Sequence, residues 1–93
     1  MLAVIAQIKV KSGSEAQFEE LANQLANASR REEGCLEYGL WRTDVVGQYT
    51  FIERYKDPAA ADAHRKSEHF RQIGRAMGAH MEGTPTIVRL TAV

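Results

Sequence analysis

Charge of one sign is what this sequence most plainly lacks. Lysine plus arginine number 12 and aspartate plus glutamate 12, a net charge of zero over 93 residues. No basic field remains to attract phosphate backbones or anionic lipid, so neither nucleic acid nor a membrane surface is an expected partner. Cysteine is nearly absent as well. The single Cys35 cannot form an internal disulfide, and no adjacent cation, helix N-terminus or Cys-His-Asn set equips it as a nucleophile. No apolar run approaches the roughly 20 residues that cross a bilayer. The N-terminus enters an alternating pattern with no charged leader, so a cytoplasmic location is expected. Gly13, Gly34 and Gly47 read as turn glycines, and there is neither a Gly-rich phosphate loop nor a Gly-x-Ser-x-Gly elbow. This length predicts one domain, residues 1–93. So short a domain buries only about 60–65% of its unfolded surface, which favours a partner subunit.

What is present is a clear set of periods. Leu2, Val4, Ala6, Ile8 and Val10 recur at every second residue, the signature of a strand. Ser12-Gly13-Ser14 breaks it, and either serine can cap a helix from about Glu15, whose Phe18, Leu21, Leu25 and Ala28 form one apolar stripe. That helix should stop before Gly34, with Arg30 and Arg31 near its end, and Cys35 begins the next element. Leu36 to Trp41 and Tyr49 to Tyr55 alternate on either side of an Asp44–Gly47 turn and predict a hairpin. Asp57 caps the next helical stretch with Pro58 in its first turn; it should reach about Glu82, kink near Arg65–Ser67, and restart on a Ser67 cap. Thr86 to Val93 reads as a last strand. The order β-α-β-β-α-β is the ferredoxin-like α+β arrangement, an antiparallel four-stranded sheet with two helices on one face. Ile5, Trp41, Ile52 and Ile87 leave the other face apolar, and a second copy packed sheet to sheet would cover it as a two-fold homodimer.

The chemistry concentrates between Tyr49 and Phe70. At about 100° per residue His64 and His69 point roughly 140° apart, and His69 and His80 share a face but lie roughly 16 Å apart along the axis. Neither pair then chelates one ion, so no metal site is expected, and His80 reads as a surface or packing residue. Glu53 shares a strand face with Phe51 and Tyr55, where desolvation favours its neutral form. There it could hold a substrate proton, orient an imidazole as base, or serve structurally by bonding backbone or Arg89. Tyr38 and Tyr55 could bond a planar oxygenated ligand or simply fill the core, and Trp41 reads as an interface residue.

Glu33-Gly34-Cys35 with Tyr38, Phe51-Ile52-Glu53-Arg54-Tyr55, Ala63-His64 and Ser67-Glu68-His69-Phe70 together resemble the antibiotic biosynthesis monooxygenase-like family, which includes small quinol monooxygenases. The resemblance covers nearly the whole chain. It implies a dimeric α+β barrel with a cavity between sheet and helices in each protomer. It also implies a small aromatic substrate, a quinol, anthrone or related phenol, oxidised by molecular oxygen with neither metal nor flavin as cofactor. The electrons come from the substrate anion, which reduces oxygen far more readily than the neutral phenol. On this resemblance His64 binds or deprotonates the substrate, Glu53 orients it, and Tyr38, Phe51, Tyr55 and His69 line the pocket.

Two other branches of the family bear on the same residues. The haem-degrading branch uses a helical histidine ligand, a tryptophan and a strand asparagine. Here Ile73-Gly74-Arg75, His64 and a first strand without asparagine stand in the corresponding places. A branch that isomerises a phosphorylated dione would also be served by His64 and Glu53, and a non-catalytic ligand-binding or stress-response module is a third alternative.

Overall fold

A computed structural model describes residues 1–93. The elements are β1 (Leu2–Lys9), α1 (Glu15–Ser29), β2 (Cys35–Arg42), β3 (Gln48–Tyr55), α2 (Pro58–Lys66), α3 (Glu68–Gly78) and β4 (Thr86–Thr91). The strands form one antiparallel sheet in the order β2-β3-β1-β4, the predicted ferredoxin-like fold. Val4 lies opposite Glu53 on one side and Arg89 on the other, and Glu53 lies opposite Tyr38, so these four share a face. The next row, Gly39-Ile52-Ile5-Val88, points the other way.

Helices cover the Val4 face. Leu2, Val4, Ala6 and Ile8 of β1, Tyr49, Phe51 and Tyr55 of β3, and Phe18, Ala22, Leu25 and Ala26 of α1 are buried. Each large apolar side chain here contributes about 1.5–3 kcal/mol relative to exposure. The core falls into two clusters: the larger one holds Phe51 and Tyr38 against α1, the smaller one Leu2, Val4, Tyr55 and Ala61 under α2. Glu53 lies between Phe51 and Tyr55, at the seam of the two.

The break at Ser67 is complete rather than a kink. Ser67 adopts extended backbone (φ −67°, ψ 150°), its hydroxyl donates to the His64 carbonyl at 2.6 Å, and the same oxygen accepts from Phe70 N–H at 3.2 Å. One residue ends α2 and caps α3, giving three helices where two were expected. The Asp57 cap forms as read, accepting from Ala60 N–H at 2.8 Å. Three local expectations need correction. Ser14 makes no side-chain cap, and Glu15 instead accepts from Gly13 N–H at 2.9 Å. The last helix stops at Gly78, not Glu82, because the chain turns so that Val10 can bridge to Met81. Ile87 pairs with Ala6 and so points to the helix side, but no helix reaches over β4, and Ile87 stays exposed. The outward face carries Ile5, Ile52, Val88, Leu90 and Trp41, the last three exposed. No helix is long and apolar enough to cross a membrane.

Candidate active site

Glu32 stands on the tight turn that follows α1. Its N–H donates to the Ser29 carbonyl at 3.0 Å and its own carbonyl accepts from Cys35 N–H at 3.1 Å. Two residues later Gly34 packs directly on α2, where a Cβ would come within 2.3 Å of the Ala60 Cβ. Only glycine lets the turn approach α2 this closely. The approach brings the Glu32 carboxylate to His64 on α2, whose Nδ1 lies 2.8 Å from Glu32 Oε2. His69, in the first turn of α3, places Nε2 2.5 Å from the same oxygen.

His64 and His69 therefore converge, against the expectation from helical angles. That expectation assumed a helix running through both residues. The extended Ser67 interrupts the rotation, and α3 restarts in a new direction with His69 turned back toward His64, their ring centroids 6.1 Å apart.

His64 is only 2% exposed. Tyr38, Tyr55 and Phe70 surround its ring at centroid distances of 5.0, 5.6 and 4.9 Å. Burial depresses its pKa, against the opposing pull of Glu32, so the neutral imidazole is favoured. With Glu32 accepting at Nδ1, the hydrogen of that neutral ring sits on Nδ1 and the lone pair on Nε2. Nε2 is buried with no hydrogen-bond partner. A buried polar atom left unpaired costs about 1–3 kcal/mol, so the Nε2 lone pair is free to accept a partner.

Glu53 is 7% exposed and accepts a 2.6 Å hydrogen bond from the Tyr55 hydroxyl. Burial raises its pKa to about 7, the Tyr55 bond opposes this, and the charge of Glu32 adds to it. It makes no hydrogen bond to an imidazole; the carboxylate that holds the His64 ring is Glu32. Nor does it bond Arg89, which lies two strands away on the exposed β4. Burial also lifts the phenols of Tyr38 and Tyr55, with Glu53 the next cause for each. Both are acids too weak to ionise here. Phe51 stands one layer back, 5.3 Å from Tyr38. Cys35 is half-buried with its pKa raised by desolvation, and His80 lies beyond α3, away from the cluster.

Two residues of this arrangement escaped the sequence reading. Glu32 had one signal: an acid just past a helix C-terminus opposes the macrodipole, an unfavourable placement that wants a compensating partner. Phe70 had only its place in the Ser67–Phe70 motif, which does not tell where its ring lies, although it separates His64 from an open cleft of about 570 Å³ lined by Ile8, Leu25, Met77, Met81, Arg71 and Arg75.

Comparison with known proteins agrees with this fold. A sequence model of the antibiotic biosynthesis monooxygenase family matches residues 1–76. The chain is 30% identical over 77 residues to "Putative monooxygenase Rv0793" of Mycobacterium tuberculosis, covering 83% of this chain and 76% of that protein. It is 35% identical over 74 residues to "Putative monooxygenase YcnE" of Bacillus subtilis, covering 76% of each. A Caulobacter crescentus structure described as a putative antibiotic biosynthesis monooxygenase superimposes with a TM-score of 0.95 at 36% identity, over 99% of this chain and 89% of that one. By sequence and by fold, the chain belongs to the antibiotic biosynthesis monooxygenase family.

Proposed function

We propose that this protein is a cofactor-independent monooxygenase that oxidises a quinol, anthrone or related phenol with molecular oxygen, and that His64 is its base. The observation that carries the reading is the state of the His64 ring: Nδ1 held on Glu32, Nε2 buried and unpartnered. An imidazole held by a carboxylate at one nitrogen and open at the other is built to take a proton. The substrate proton moves to Nε2, and the imidazolium formed is stabilised by Glu32. The apolar walls of Tyr38, Tyr55 and Phe70 keep water from the resulting anion, which strengthens its interaction with the imidazolium. The anion transfers one electron to oxygen, and the radical and superoxide combine at carbon. His64 returns its proton to the peroxide, and loss of water leaves a carbonyl. For a methylene between aromatic rings the balance is CH2 plus O2 giving C=O plus H2O. Glu53, its pKa raised by burial to about 7, is partly protonated near neutral pH, which lessens the negative charge beside that anion, and Tyr55 remains bonded to it.

Access runs through the cleft beside Phe70, whose ring touches His64 and also lines the cleft. Oxygen uptake with a reduced naphthoquinol or an anthrone, corrected for autoxidation, tests the reading. Absence of uptake across a quinol panel would overturn it. A second reading, isomerisation of a phosphorylated dione, is favoured by Arg71 and Arg75 at the cleft, two cations suited to a phosphate. It predicts product without oxygen consumption. A homodimer in the cytoplasm completes the proposal. Val88, Leu90 and Trp41, exposed on the outward face, and β4, uncovered on both sides, support it. A monomeric mass by light scattering at micromolar concentration would contradict the dimer.

A further inference from the structure

We infer that Glu32, His64 and His69 form a binding site for one divalent transition-metal ion of the zinc type, and that an ion bound there silences the base. His64 Nδ1, His69 Nε2 and a Glu32 carboxylate oxygen all lie within 4.8 Å of one another. Two imidazoles and one carboxylate are the donors that zinc and its neighbours in the first row prefer to bind. Around a four-coordinate ion with bonds of about 2.0–2.2 Å, donor atoms stand about 3.3–3.6 Å apart. The present imidazole–carboxylate separations of 2.8 and 2.5 Å reach that range if each widens by about 1 Å or less.

The three donors come from three separately anchored elements. Gly34 holds the Glu32 turn against α2, the Asp57 cap starts the helix that carries His64, and the Ser67 cap sets the first turn that carries His69. The site is also reachable. The side chains of Glu32 and His69 are 18% and 27% exposed, while that of His64 is 3%. An ion can therefore enter from the His69 side and keep a water as its fourth ligand.

The consequence for the base follows from proton bookkeeping. An ion takes the lone pair at His64 Nδ1, so the hydrogen that Nδ1 donates to Glu32 moves to Nε2. His69 binds the ion through Nε2 with its ring hydrogen on Nδ1. The His64 ring neither gains nor loses a net proton, but its Nε2 becomes an N–H and can no longer accept one from a substrate. Binding itself is independent of the activity proposed above; only its inhibitory effect rests on that reading.

The test uses the whole chain, stripped with EDTA and dialysed, then titrated with Co2+ followed by visible absorption and with Zn2+ against a chromogenic chelator. One ion per chain is expected, with binding weakened about tenfold or more in His69→Ala and in Glu32→Gln, and unchanged in His80→Ala. Circular dichroism of each variant confirms that it is folded, and His69, on the accessible side, is the substitution least able to disturb the core. Absence of stoichiometric binding, or equal binding in the folded His69→Ala variant, would overturn the site. Stoichiometric binding with undiminished oxygen uptake would leave the metal site standing and overturn the role of His64 as base.

Discussion

Two carboxylates stand near opposite ends of α1, and each gathers partners from distant parts of the chain. Glu19 accepts a 2.6 Å bond from the Tyr49 hydroxyl and a two-pronged bond from Arg42 at 3.1 and 2.9 Å. Glu32 receives His64 and His69 on one oxygen. The hydrogen-bond counts are similar, but the chemistry differs. Arg42 is exposed and permanently charged, and its bond is the main reason Glu19 is held below the usual carboxylate range. That cluster ties a helix to a hairpin, and its one acidic proton, on the Tyr49 phenol, is held more tightly than usual by desolvation and by the bond to Glu19. The partners of Glu32 are imidazoles, one of them buried, neutral and unpaired at its second nitrogen. Reactivity comes from an exchangeable proton in a desolvated place, not from the density of polar contacts.

Substitutions at the two ends should separate them. His64→Ala is expected to lower oxygen uptake about 10²–10⁴-fold on any substrate the protein turns over. Undiminished turnover would remove His64 from the chemistry and erase the contrast. A third carboxylate, Glu53, sharpens it through pH. Its pKa rises from 4.5 to about 7 on folding, so between these values the folded chain binds the extra proton. The stability this proton contributes is fully present below pH about 4.5 and is lost as the pH rises through about 7, a change of about 3 kcal/mol. Glu53→Gln, which mimics the neutral acid, should flatten that part of the profile of urea midpoint against pH. A slope unaltered in the variant would place its origin elsewhere.

Gly34→Ala attacks the placement of Glu32 without touching Glu19. Pressing a methyl group against Ala60 forces the turn away from α2 and should cost about 1–3 kcal/mol in chemical denaturation. A parent-like midpoint would mean that the turn relaxes freely and does not set the Glu32–His64 contact. The smallest effect belongs to the other end: Glu19→Gln and Arg42→Ala, an exposed pair, should leave turnover within error of the parent. A marked loss of turnover there would make the two ends alike.

Much of the fold was legible because it is written in short-range periods. Alternation in β1 and β3, the α1 stripe, and caps at Asp57 and Ser67 all depend on residues within a few positions of one another. The same local logic placed Glu53 on a buried face with Phe51 and Tyr55, where desolvation favours its neutral form. It missed Glu32, which belongs to no period, and it misjudged His64 and His69 because helical angles cannot be carried across an extended residue. It put Ile87 on the outward face because strand alternation tells which residues share a side but not which side the helices take.

By itself, then, the sequence determined the element order, the ferredoxin-like class, the family resemblance, and the presence of a carboxylate and histidines in its second half. Each of these follows from local backbone preference and the spacing of apolar residues. Only the tertiary structure decided which carboxylate meets which histidine. That choice rests on a close approach of Gly34 to Ala60 and on the direction in which α3 leaves Ser67, contacts between residues far apart in the chain that no local period encodes.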